Sequence, residues 1–193
     1  MLITYFIVLK EGWMGMKQAL IIIDMQEIFF MGEENALYRR DALITHVEQW
    51  IEKARQKQVP IVFIQHTSYT AGEELYVDTP EWQICSRLSR TADDTVIRKT
   101  RWDAFYNTEL LEWLDQHRIE QLIFAGAQTE FCMDTTIRAA YSLGYQANIV
   151  AADSHSTLDS NELTAQQIIQ HHEHIWNGRF ANLQSIDTAF PSA

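Results

Sequence analysis

The chain has 193 residues, an ordinary apolar content and a formal net charge of −11. That length fits one domain, burying about 70 % of its unfolded surface, and the acidic balance argues against nucleic acid or an anionic membrane as the main partner. Two cysteines, Cys85 and Cys132, are too few for a disulfide scaffold and form no C-x-x-C pair, so a reducing, cytoplasmic location is expected.

Residues 1–15 read as an N-terminal extension. The apolar run from Leu2 to Leu9 lacks a basic leader region and a small-residue cleavage site, and is too short to span a bilayer. It suits either an appended edge segment or a loose extension. Residues 16–193 form the expected domain.

Ala19 to Ile23 is wholly apolar and suits a strand buried on both faces. It ends at Asp24, and a loop with Phe29 and Phe30 follows. From about Asn35 to Gln58, Leu43, Val47, Trp50, Ile51 and Ala54 recur at helical spacing, and Pro60 stops the helix. Ile61 to Gln65 is a second buried strand, ending near His66. A long connection, Thr67 to Asp94, is expected to hold a short helix around Trp82 to Leu88. Thr95 to Arg98 makes a third strand that ends at Lys99. Thr108 is placed to cap a helix from Glu109 to His117.

Gln121 to Ala125 is the fourth strand. Gly126 and a short polar turn lead into a helix to Leu143, with Gly144 at its C′ position. Gln146 to Ala151 is the fifth strand, ending at Asp153. Asp159 and Glu162 have capping-box spacing for a helix to Trp176, which Gly178 ends. Asn182 to Ile186 is a short sixth strand. Such alternation predicts a single doubly wound α/β domain: a mostly parallel sheet of about six strands with helices on both faces.

In such sheets the functional crevice lies at the carboxyl ends of the strands. Asp24, His66, Lys99 and the Cys132 turn all fall there. Cys132 lies in the first turn of its helix, where unpaired N–H groups and the macrodipole favour an anion, so its thiol is expected to have a lowered pKa. Lys99 beside it would lower that pKa further. Asp24 is suited to take the thiol proton and return it to a leaving group. Backbone N–H groups of Gln128 and Cys132 are suited to form an oxyanion hole. This set predicts acyl transfer from a small-molecule substrate: thiolate attack on a carbonyl, departure of an amine, and hydrolysis of the thioester.

Three segments carry a family resemblance: IIIDMQEIF with Asp24, IRKTRWDAF with Lys99, and FAGAQTEFCMDTTIRAA with Cys132. From about Gln18 to Leu183 the chain resembles the isochorismatase-like cysteine hydrolases, which include nicotinamidases and related amidohydrolases. The resemblance implies an Asp24–Lys99–Cys132 triad, a cis peptide at Ala127–Gln128, no organic cofactor, and a homo-oligomer, dimer or tetramer. ADSHSTLD and the following LTAQQIIQHH resemble a branch with streptothricin-hydrolase-like enzymes. Nicotinamidases carry an Asp-x-His pair and further histidines after the second strand, holding a metal. The segment here is QHTSYT, with His66 and no aspartate two residues before it, so no metal is expected and nicotinamide is disfavoured as substrate.

Phe29, Trp102 and Phe105 are candidates to line an apolar substrate pocket, and equally candidates for plain core. His66 is a candidate substrate contact or a structural histidine, and His155 is open to the same two readings. In the HHEH run, His172 falls on an apolar stripe, which weighs against a metal there. Cys85 is expected to be inert. The resulting expectation is a hydrolase cleaving an amide, ureide or lactam C–N bond. The alternatives are vinyl ether hydrolysis with Asp24 as acid, and a non-enzymatic binding or thiol redox protein. Specificity is expected from the Thr67 to Asp94 connection and the loop after Asp24.

Overall fold

The computed structural model describes residues 16–190. The expected N-terminal extension lies outside the described residues. Six strands form one sheet: β1 (Gln18–Ile23), β2 (Ile61–His66), β3 (Thr95–Lys99), β4 (Gln121–Ala127), β5 (Ile149–Ser156) and β6 (Asn182–Gln184). Their order is β3-β2-β1-β4-β5-β6, and every neighbouring pair is parallel. The direction of winding reverses between β1 and β4. The helices are α1 (Arg40–Gln56), α2 (Leu110–His117), α3 (Asp134–Ser142), α4 (Ala165–Trp176) and a short α5 (Ile186–Ala189).

Alternating side chains of the buried strands feed two cores. Leu20, Ile22, Phe63 and Ile123 pack with Val47, Trp50 and Ile51 of α1 and with Phe190. Ile21, Ile23, Ile64 and Phe124 pack on the other face with Leu110 and Leu114 of α2, Ile137 and Ala140 of α3, and Trp176 of α4. Fully burying one such aliphatic side chain is worth roughly 1.5–3 kcal/mol, so these apolar runs have no stable alternative to the sheet interior. Among the described residues no helix is long and apolar enough to cross a membrane.

Local boundaries differ from the sequence expectation where tertiary contacts take over. Helix α1 begins at Arg40, not Asn35, because Arg39 is left-handed (φ 52°) and Tyr38 N–H bonds to Thr157 O. No helix forms over Trp82–Leu88. That segment instead lies along the loop after β1, with Glu27 N–H to Gln83 O and Cys85 N–H to Met25 O both at 2.8 Å. Strand β5 begins at Ile149 and runs past Asp153 to Ser156. A shift in pairing after Phe124 lets His155 and Ser156 lie against Gly126 and Ala127. The capping box of α4 is Thr164 with Gln167, not Asp159 with Glu162; Asp159 accepts the Ala165 N–H at 2.7 Å. Thr108 does accept the Leu110 N–H, at 3.3 Å. Strand β6 stops at Gln184, because Ile186 already starts α5.

At the switch point the ends of β1 and β4 approach closely. Gly126 has φ +129°, and a Cβ there would lie 2.0 Å from the Ile23 carbonyl oxygen. Only glycine fits. Gly126→Ala is expected to cost at least about 3 kcal/mol of stability, read by urea unfolding. A midpoint equal to the parent's would refute this account of the approach.

Candidate active site

Asp24 is the first residue past β1. It takes a left-handed conformation (φ 48°) while its N–H donates to Ile64 O at 3.0 Å. One strand over, the Ala127–Gln128 peptide is cis, and the chain enters a π-helical turn, Thr129–Met133, before α3. The Met133 N–H reaches five residues back to Gln128 O, at 3.1 Å. Cys132 therefore sits on a widened turn rather than in the first turn of a regular α-helix. A long side chain is needed to reach this point from β3, across the end of β2, and Lys99 supplies it.

The Lys99 ammonium lies 2.7 Å from Asp24 Oδ2, 3.1 Å from Cys132 Sγ, 3.2 Å from His66 Nδ1 and 3.1 Å from the Arg101 carbonyl. Asp24 and Lys99 are 2 % and 1 % exposed, and Cys132 is 7 % exposed. The Asp24–Lys99 contact is a buried ion pair.

The electrostatics reverse one expectation. Burial pushes the Cys132 thiol up from its ordinary pKa, the Asp24 carboxylate pushes the same way, and Lys99 opposes both without overcoming them. The resting group is a thiol, not a pre-formed thiolate. For Lys99, burial alone would lower the pKa, but the Asp24 and Cys132 charges outweigh it and hold the ammonium above its usual range. His66 is lowered, by burial first and then by the Lys99 charge. Its neutral ring suits acceptance of a hydrogen bond from Lys99.

Asp24, His66 and Cys132 each offer one ligand atom, all within 4.8 Å of one another. Lys99 Nζ makes close contact with all three. A divalent cation there would face a buried ammonium, so this donor set does not fit a metal. In the HHEH run, His172 bonds the Ile168 carbonyl at 2.9 Å and packs against Trp176, as its apolar stripe predicts.

A cleft of about 370 Å³ opens over the triad, lined by Phe29, His66, Trp102, Gln128, Phe131 and Leu158 among others. Trp102 leans on Phe131, with ring centroids 5.1 Å apart, and is 56 % exposed at the rim. Phe105 does not line the cleft. It stacks on Tyr145, packed against the second core, where its apolar area is removed from water. Cys85 is buried in the opposite core from Cys132, and burial raises its pKa.

Sequence reasoning missed Leu75 and Leu158 in the cleft, because loop residues carry no periodicity, and Phe131, because the π-helical turn changes which side chains face the cleft. It also missed Gln26. This buried side chain donates to His66 O and Trp82 O at 3.0 and 2.7 Å, and accepts the His66 N–H at 2.8 Å. It ties the Asp24 loop to β2 and to the long connection. A polar residue two places after a strand-end acid was the available signal.

A buried Asp–Lys–Cys cluster thus stands at the switch point of a parallel, doubly wound α/β sheet. The isochorismatase domain model matches residues 18–175, and the chain belongs to the isochorismatase family of hydrolases. A crystal structure of an isochorismatase family protein is 43 % identical, with a TM-score of 0.81 over 88 % of this chain and 98 % of that one. A streptothricin hydrolase of Streptomyces noursei is 28 % identical over 142 residues, 74 % of this chain and 50 % of its own length. Nicotinamidase 3 of Arabidopsis thaliana is 25 % identical over 141 residues, 66 % of this chain and 68 % of its own length.

Removing one partner of a buried ion pair strands the other. Lys99→Met is expected to destabilise the protein by about 3–5 kcal/mol, and adding Asp24→Asn to recover most of that loss in urea unfolding. A double variant no more stable than Lys99→Met would contradict the pairing. Because the folded pKa of His66 lies below its unfolded value of 6.5, the unfolded state takes up this proton first as the pH falls. Stability is therefore lost from about pH 6.5 downward. His66→Gln is expected to flatten this acid limb between about pH 7 and 5, measured by thermal melting; a limb of unchanged slope would refute it.

Proposed function

We propose that the protein hydrolyses a C–N bond of a small amide, ureide or lactam through a Cys132 thioester. The observation that carries this reading is the Lys99 ammonium held between Asp24 Oδ2 and Cys132 Sγ at 2.7 and 3.1 Å. Substrate binding over the triad displaces water. Asp24 takes the Cys132 proton as sulfur attacks the carbonyl carbon, and Lys99 stabilises the sulfur charge during transfer. The Gln128 and Cys132 backbone N–H groups stabilise the oxyanion. Collapse expels the amine, which takes the proton from Asp24. A water then attacks the thioester, gives its proton to Asp24, and the acid departs as the thiol is restored. Relatives named for streptothricin and nicotinamide hydrolysis support an amide-type bond.

The cleft mouth adds a constraint on substrate charge. Glu74 lines the cleft, and the adjoining groove carries Glu33, Glu34, Glu73 and Glu81, with no lysine or arginine in its lining. Arg40 pairs with Glu33 at 2.8 Å and Arg101 lies beside His66 and Trp102, so the acidic excess is confined to the Glu73, Glu74 and Glu81 side, which would favour a neutral or cationic substrate group there. Trp102, Phe131 and Phe29 supply flat apolar surface for the remainder of the substrate.

Against a panel of small amides, ureides and lactams, the parent is expected to release amine. Cys132→Ala is expected to reduce kcat by at least about 10³-fold with the fold intact by circular dichroism, and Asp24→Asn to do the same in a protein that is also less stable, since it strands the Lys99 ammonium. Turnover that survives Cys132→Ala but not Asp24→Asn would point instead to ether-type hydrolysis with Asp24 as acid. Hits are expected to favour neutral or cationic compounds over matched anionic ones, and a preference for anions would overturn the charge assignment.

A further inference from the structure

Behind the nucleophile turn stands a buried histidine that the reaction above does not use. His155 Nδ1 lies 3.0 Å from Thr129 Oγ1, and its Nε2 faces Glu173 Oε1 at 3.4 Å. The ring is edge-on to Trp176, with centroids 5.2 Å apart, and the Trp176 indole N–H donates to Asp134 Oδ1 at 2.8 Å. Thr129 is wholly buried and opens the turn that ends in Cys132 and Met133; Asp134 begins α3 directly after it. Helix α4 therefore braces the nucleophile turn at both of its ends.

His155 itself lines a separate cavity of about 180 Å³, which shares no lining residue with the substrate cleft. Arg39, His46 and Asp153 also face that cavity. His155 thus cannot touch substrate, and any effect it has passes through Thr129. For a neutral ring, the Glu173 carboxylate favours the tautomer with hydrogen on Nε2. Nδ1 then accepts the Thr129 hydroxyl, and the threonine side chain is held in one rotamer. A lone histidine of this kind is often no more than satisfied core. Here its one directed hydrogen bond goes to the first residue of the turn that presents the thiol.

We propose that His155, oriented by Glu173, is a positioning residue that fixes Thr129 and so holds the Gln128–Cys132 turn in register with Asp24 and Lys99. This rests on Cys132 being the nucleophile of the proposed reaction. A 1 Å displacement of a reacting group is enough to cost about 10²-fold in rate, and the 3.1 Å Lys99–Cys132 contact is of the kind such a displacement would break.

The test is the pH dependence of iodoacetamide alkylation, followed by mass spectrometry of the Cys132 and Cys85 peptides. In the parent the Cys132 rate should still be climbing above pH 9, since its thiol is held up by burial and by Asp24. In Thr129→Val and His155→Ala the turn is released. The Cys132 midpoint is then expected to move by about one pH unit or more, upward where only the Lys99 contact is lost and downward where the thiol also leaves Asp24 and its buried site. Thr129→Ser, which keeps the hydroxyl, is expected to retain the parent profile. Cys85, buried in the opposite core, gauges general loosening and should stay unreactive throughout. Should His155→Ala expose Cys85, the near-isosteric Thr129→Val decides. An unchanged Cys132 midpoint in both variants, or Cys85 reacting in step with Cys132 in both, would overturn the proposal. Alkylation needs no turnover, so this result is separable from whether any amide is hydrolysed.

Discussion

A single ammonium group buried at the end of a parallel sheet constrains the rest of the site. Lys99 can be dehydrated only because Asp24 lies 2.7 Å away and because the His66 ring and the Arg101 carbonyl accept its remaining hydrogens. Such a pair is close to break-even against a well-packed apolar substitute, while breaking it leaves an uncompensated buried charge. Stability is thus a poor reason for its presence. Its geometry has a chemical consequence instead: a fixed positive charge beside a sulfur atom, with a carboxylate on the other side of that charge.

That arrangement changes how the thiol is understood. A helix start alone would favour thiolate. Here burial and the neighbouring carboxylate dominate, and the proton stays on sulfur at rest. In the proposed reaction, reactivity is therefore conditional on Asp24 removing that proton as a carbonyl binds. A buried, protonated thiol is also a weak target for oxidants, which favours hydrolysis over a redox-sensing role.

The fold supplies this geometry through the ends of four strands. Asp24 follows β1, His66 and Lys99 end neighbouring strands in register, and the Cys132 turn follows β4. Gly126 lets β4 press against the carbonyl of Ile23 where a side chain would not fit. Gln26 and Trp82 fasten the long connection onto the β1 loop. The floor of the site is therefore built from regular structure and its rim from loops, so variation in the rim alters substrate choice without disturbing the triad.

Much of this was legible along the chain. Wholly apolar five-residue runs alternating with amphipathic segments leave few options but a doubly wound sheet. Strand-end placement brought Asp24, Lys99 and Cys132 together before any coordinates. Composition and periodicity could do this because burial of apolar surface is proportional to area and carries no direction. What depends on direction was decided only in three dimensions. The segment from Trp82 to Leu88 gave up its helix to bond with the β1 loop, β5 ran on to Ser156 to reach Gly126, and Phe105 turned away from the cleft. The sign of the Cys132 shift belongs to the same group, because it depends on distances to two charges and on depth below the surface. A sequence lists the charges; only the tertiary structure sets how far apart they stand and how little water lies between them.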